Sequence, residues 1–284
     1  MTFFHRHRWL APWTLLTPGL AWLALFFVLP LGFLAYQSLQ SGVFPSYEFT
    51  WEFGNYREAI TDNREQLVRS FWYAGIATVL ALAFSYPLAY WIAFRAGRWK
   101  NVFLVLVVAP FFVTYLIRTI AWQTILSDDS TVVEVLRTIG LLADDGRLLA
   151  TSTAVVAGIT YNYLPFAILP IYVSLEQVDR RMLEAAGELY ASPRQGFLRV
   201  TLPMSLPGVF AGTLLTFIPA VGDFINAELL GGPGQRMIGN VIQSKFLVSL
   251  DYPEAAALSF ILMALILAVV IGYARAVGSE RLTS

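Results

Sequence analysis

An all-α integral membrane protein with six transmembrane helices and one cytoplasmic helical loop is the fold class the sequence predicts, on three observations. Hydrophobic residues fill 57% of the 284 positions and charged residues only 13%, and the mean hydropathy is +0.62, more apolar than one soluble core can hide. The apolar residues gather into windows long enough to cross a hydrocarbon layer of about 30 Å, which takes roughly 20 residues at helical rise. Between the fourth and fifth windows, apolar residues recur at three- and four-residue spacing among charges, the pattern of a helix that lies on a surface.

In chain order the spans run from Pro12 to Gln37, Val68 to Phe94, Val102 to Leu126, Ala150 to Leu175, Pro203 to Leu230 and Ala255 to Val277, within a single transmembrane domain over residues 1–284. The first follows Arg6 and Arg8, as a secretory leader would, but it is too long and no small-residue cleavage site closes it. The fourth and fifth carry helix breakers: Pro165 and Pro170 in one, and Pro203, Pro207, Gly208, Gly212, Pro219 and Gly222 in the other. Such residues mark broken helices that line a water-filled pathway, or else kinks from tight helix packing.

Six spans put both termini on one side. Counting Arg275 at the end of the sixth span, eleven of the nineteen lysines and arginines then share that side, which the positive-inside rule makes the cytoplasm. Of the nineteen acidic residues only Glu176, Asp179, Glu184, Glu188 and Glu280 lie there, so the outer half is net acidic. That excess is ordinary loop solvation or an attraction for cations.

Several chemistries are excluded. Cysteine is absent, so disulfides and thiolate metal sites are ruled out, and the only histidines, His5 and His7, sit beside arginines near the N-terminus rather than in a ligand set, leaving no metal site to nominate. A net charge of zero offers no footprint for nucleic acid. There is no phosphate-binding loop and no serine with a plausible base, so no catalytic residue is assigned; Gly231-Gly232-Pro233-Gly234 reads as a turn.

The surface loop, residues 176–202, carries Met182, Leu183, Ala186, Leu189 and Tyr190 on one face, interleaved with Asp179, Arg180, Arg181, Glu184 and Glu188. Ser192-Pro193 is a helix-start signal, since serine caps free amides and proline fits the first turn, so two short helices at the inner membrane face are expected. Glu184-Ala185-Ala186, followed in register by Val200 and Leu202-Pro203, resembles the EAA loop of permease subunits of binding-protein-dependent ABC importers. The chain departs from that pattern at Tyr190, where the family usually has glycine, and Gly187 does not fill the position. The turn is then either shaped differently, or the tyrosine adds contact with a partner. Further stretches are similar to spermidine/putrescine permeases: Pro110-Phe111-Phe112, Tyr115 to Thr119, Ala121-Trp122, Tyr161 to Phe166, Ile218 to Phe224, Leu230 to Pro233 and Ile238-Gly239-Asn240.

The resemblance implies a multi-pass subunit of a bacterial inner membrane, not itself an enzyme, working by alternating access. It implies a second homologous permease as heterodimer partner, two ATP-binding subunits that hold ATP and Mg, and an external substrate-binding protein. This chain itself binds no cofactor on that reading. Glu184, Ala185, Ala186, Leu189 and Tyr190 are the expected contacts to the ATPase, with small alanines allowing close docking. Asp223 and Glu228 fall within or at the outer end of the fifth span, where a carboxylate facing lipid costs several kcal/mol, so they are expected to face a cavity or to pair with Arg118. Tyr115, Trp122, Tyr161 and Tyr163 offer aromatic faces to an ammonium group, or else fill helix contacts. The competing readings are the same importer carrying ferric ion, thiamine or an amino-acid derivative, an ion-coupled secondary carrier, and a scaffold that recruits a partner.

Overall fold

A computed structural model describes residues 10–143 and 145–278. His5, Arg6, His7, Arg8 and Glu280 lie outside the described residues. The helical expectation holds: five helices are long and apolar enough to cross a membrane, and counting one sharply bent pair as a span makes six.

By internal contacts the chain divides into two compact units, one gathering Met1–Asp62 with Ile242–Met263 and the other Asn63–Val241 with Ala264–Ser284. In the first unit, α1 (Leu10–Leu23) continues through a π-turn (Ala24–Val28) into α2 (Leu29–Ser38). None of the most apolar window of this helix is buried, and Leu16, Phe27 and Phe33 are all exposed. A helix apolar on every side whose most apolar stretch is unburied has lipid or another protein for its solvent. A hairpin follows, β1 (Gln40–Val43) paired antiparallel with β2 (Ser46–Phe49), and then α3 (Gly54–Asp62). This hairpin, turned at Phe44-Pro45, is absent from the expected element list, because two four-residue strands carry too little periodicity to read.

The second unit holds α4 (Arg64–Phe94), α5 (Lys100–Val108), α6 (Tyr115–Leu126), α7 (Thr131–Thr138), α8 (Ser152–Glu176), α9 (Arg180–Glu188), α10 (Pro193–Gly196), α11 (Leu202–Val221) and α12 (Ile225–Leu230). Helices α13 (Ile238–Leu247) and α14 (Tyr252–Gly278) each have residues in both units. The core of the second unit is the packing of α4, α8 and α11. Small residues allow it: Ala74, Ala77, Ala81 and Ala89 of α4 and Ala167 of α8 are wholly buried, and a Cβ on Gly208 of α11 would meet the Pro170 carbonyl oxygen at 2.5 Å. At Gly208, then, tight packing is the reason for glycine. Helix α8 likewise runs unbroken through Pro165 and Pro170.

Two spans differ from expectation. The third is not one helix: Gly97–Phe112 and Tyr115–Thr138 meet at 93°. A 3-10 turn at Ala109–Phe112, tightened at Pro110, leads into extended Val113 and Thr114, so α6 restarts at Tyr115. The fifth stops at Val221 rather than Leu230, because Gly222, Asp223 and Phe224 leave the helix before α12 begins. At its other end the fifth span starts earlier. Helix α10 is not a separate surface helix but flows through a π-turn (Phe197–Thr201) into α11, one 29-residue helix from Pro193 to Val221.

Candidate substrate site and coupling loop

Helix α9 begins at Asp179, whose carboxylate oxygen accepts the Arg181 amide at 2.9 Å, and it ends at Glu188. Only Leu183 and Ala186 are half-buried on it, whereas Met182, Glu184, Ala185, Leu189 and Tyr190 are exposed, Leu189 at 82% and Tyr190 at 98%. The apolar stripe is therefore offered outward. The turn that follows keeps the glycine-type geometry: Tyr190 has φ +62°, its amide donates to the Gly187 carbonyl at 3.0 Å, and the Ala191 amide donates to the Ala186 carbonyl at 3.0 Å. This pair of bonds is the Schellman helix ending, which glycine makes without strain and tyrosine does not. Ser192 then caps the next helix in a reciprocal box, its hydroxyl accepting the Gln195 amide while the Gln195 side chain accepts the Ser192 amide at 2.8 Å. Nearby, Lys100 at the start of α5 is ion-paired with Glu176 at the end of α8.

A buried polar cluster forms where α6, α8 and α12 meet. Asp223 is 5% exposed. Its Oδ1 accepts the Asn226 amide at 2.9 Å, and its Oδ2 accepts the Asn226 side-chain amide at 2.8 Å together with the Tyr115 hydroxyl. Asn226 also donates to the Tyr115 oxygen at 2.5 Å. The cluster extends into α8, where Asn162 donates to Asn226 Oδ1 and to Thr119 Oγ1, each at 3.2 Å. Gly158 makes room for this junction, since a Cβ there would collide with Leu230 and with the Asn226 side chain. The Tyr163 ring lies 6.1 Å from that of Tyr115.

The structure thus joins Tyr115, Tyr163 and Asp223 but separates the remaining sequence candidates. Trp122 and Tyr161 pair with each other at 5.5 Å, and Tyr161 also lines a 230 Å³ apolar cavity with Leu88, Phe103, Leu164 and Ile168. Glu228 is exposed, accepts from Asn240 at 3.0 Å, and borders a small polar cavity of 300 Å³ with Gly231, Pro233 and Arg236. The expectation of an Arg118 ion pair is corrected: the ion pairs among the described residues include neither Arg118, Asp223 nor Glu228. Asp223 is instead held by neutral donors, the Tyr115 hydroxyl and the two Asn226 amides. Residues absent from the candidate set are Asn162, Asn226, Thr119 and Asn240. An amide in an apolar helix is itself a signal, because it must find a partner out of water. No group of three or more histidine, aspartate or glutamate side chains is placed to hold a metal among the described residues.

Residues 85–279 match the family described as binding-protein-dependent transport system inner membrane component. The spermidine/putrescine transport system permease protein PotB of Haemophilus influenzae is 37% identical over 258 residues, covering 90% of each chain. Its Escherichia coli counterpart is 38% identical over 198 residues, 70% of this chain and 72% of that one. The E. coli inner membrane ABC transporter permease protein YdcU is 33% identical, over 73% and 71% of the two chains. Among solved structures, a bacterial ABC transporter that imports alginate superposes with a TM-score of 0.71 at 20% identity over 98% of each chain. The same type of transporter in complex with an alginate-pentasaccharide-bound periplasmic protein gives 0.73 at 18%, again over 98% of each. At those identities the likeness is one of fold.

Proposed function

The chain belongs to the family of binding-protein-dependent transport system inner membrane components, and from that premise we propose that it is the permease subunit of an ATP-driven importer for polyamines. The observation that carries the cargo is 37% identity across nine-tenths of both chains with a spermidine/putrescine permease. The chemistry around Asp223 agrees with it. A carboxylate ringed by neutral donors and by the Tyr115 and Tyr163 rings offers charge and aromatic faces to an ammonium group, while apolar helix walls suit the methylene stems. Glu228, exposed beside its polar cavity, serves as a second carboxylate on the approach.

On this reading the working unit pairs the chain with a second permease, two ATPase subunits and an external binding protein, with both termini and residues 176–202 in the cytoplasm. The exposed stripe of α9, with Glu184, Ala185, Ala186, Leu189 and Tyr190, seats on the ATPase. Closure of the ATPase dimer then reaches the cargo site through the helix that runs from Pro193 to Val221. Family membership speaks against a solitary ion-coupled carrier and leaves other small cargos as the rival.

The deciding experiment reconstitutes the complex and measures ATP hydrolysis with the binding protein and spermidine, putrescine or a panel of unrelated solutes. Stimulation by the polyamines alone supports the assignment. Stimulation by another solute keeps the importer and removes the polyamine, and failure to associate with any ATPase overturns the role given to residues 176–202.

A further inference from the structure

Arg118 is a buried cation that no anion pairs with among the described residues. It lies in the first turn of α6, 8% exposed, and its Nε and Nη1 are buried with no protein acceptor within hydrogen-bond reach. Its Cζ stands 5.7 Å from the centre of the Tyr115 ring. The hydroxyl of that same tyrosine donates to Asp223, an anion whose other bonded donor is the neutral Asn226. One side chain therefore separates a guanidinium without an acceptor from a carboxyl group held by neutral partners.

Neither charge is at its most stable there. A cation–π contact returns less than the desolvation of a buried ion costs. Direct pairing would satisfy both charges, and the guanidinium fork is shaped for two bonds to one carboxylate. What stands between them is Tyr115, the first residue of α6, immediately after the extended break at Val113 and Thr114. Its position depends on a joint in the span rather than on a continuous helix.

We infer that Arg118 is an internal competitor for Asp223: cationic cargo takes the carboxylate while Arg118 rests over Tyr115, and formation of the Arg118–Asp223 pair displaces the cargo. This rests on the polyamine reading only in making the cargo a cation. Exchanging one cation for another means that the carboxylate is never left bare in a low-dielectric site during release. It also gives Arg118 a part in deciding which cargos pass, since a neutral solute would not be exchanged.

The test has two arms, both on the full complex with its ATPase subunits and binding protein. Because the chain has no cysteine, the double variant Ile117→Cys/Gly222→Cys, which keeps both charged groups and stands beside them, gives a pair for a short bifunctional methanethiosulfonate in a complex whose other subunits are made cysteine-free. Cross-linking should differ about tenfold between the nucleotide-free and vanadate-trapped states. Equal rates in the two states overturn the inference. In the second arm, Arg118→Gln should lower spermidine turnover about tenfold with KM unchanged or reduced and should leave labelled spermidine retained on the complex, while Arg118→Lys restores release. In an Asp223→Asn background Arg118→Gln should add nothing, because the contested group is gone. Additive defects, or a lysine variant no better than the glutamine, mark Arg118 as structural and overturn the exchange. A wild-type complex that does not carry spermidine removes the cargo reading and leaves the cross-linking result to stand or fall separately.

Discussion

Replacing Tyr190 by glycine tests the coupling loop from two directions, because the backbone and the side chain of this residue pull opposite ways. At φ +62° an L-residue is strained by roughly 1–2 kcal/mol, and glycine relieves that while forfeiting ~0.5–1 kcal/mol of chain entropy, for a net local gain of ~0.5–1 kcal/mol. The side chain is 98% exposed beside Leu189, so in the free subunit it contributes little packing. If it seats on the ATPase, a buried aromatic anchor is worth about 2 kcal/mol, or roughly thirtyfold in affinity. Tyr190→Ala keeps the strain and removes the anchor, which separates the two terms. The expected pattern is that both variants bind the ATPase about thirtyfold more weakly, whereas trypsin nicking between Arg181 and Arg194 slows in the glycine variant alone. Binding can be read by titrating labelled ATPase onto the permease pair in nanodiscs. Wild-type affinity in Tyr190→Gly would show that the tyrosine is no contact, and faster nicking of that variant would refute the strain argument.

Glu184→Ala should abolish polyamine-stimulated uptake while leaving the subunit folded and in the membrane; normal uptake with full ATPase assembly would remove the loop from the coupling path. Gly208→Leu should prevent stable assembly of the α4–α8–α11 core, since even a Cβ meets the Pro170 carbonyl at 2.5 Å, and unchanged thermal stability in detergent would contradict that packing. Tyr115→Phe removes one donor from a buried carboxylate and should destabilise the subunit by ~1–3 kcal/mol, read as a lower Tm. In the cysteine-free chain, Gly187→Cys should react with a membrane-impermeant maleimide only from the cytoplasmic side and Gly140→Cys only from the opposite side; the reverse pattern would invert the orientation.

Much of the fold was legible because lipid imposes a simple rule on composition. Runs such as Val68 to Phe94 could be nothing but spans, and the described helix Arg64–Phe94 contains that run. Ser192-Pro193 was legible for a local reason, as the capping serine needs only its own neighbours. The breaks were not. Pro110 sits in an apolar run with nothing in the sequence to separate a kink from a 93° turn, and Gly222-Asp223-Phe224 leaves the helix because Asp223 and Asn226 bond across to Tyr115. That network draws on residues about a hundred positions apart, which no periodicity reports. The same distance explains why Asp223 could be singled out while its state, enclosed by neutral donors with Arg118 unpaired nearby, could not. Tyr190 is the reverse case: the residue was conspicuous, and only the backbone angle shows that the glycine geometry persisted without the glycine.

The uninterrupted helix from Ser192's cap to Val221 is a mechanical statement as well as a topological one. Its 29 residues make a rod of roughly 44 Å, with α9 and its turn at one end and Asp223 two residues past the other. A rod has little slack: displacement at its base is carried towards its tip, through the π-turn at Phe197–Thr201. A push from below would be spent at the joint beyond Val221, where the buried carboxylate is held, so stiffness in one element concentrates the motion in three residues.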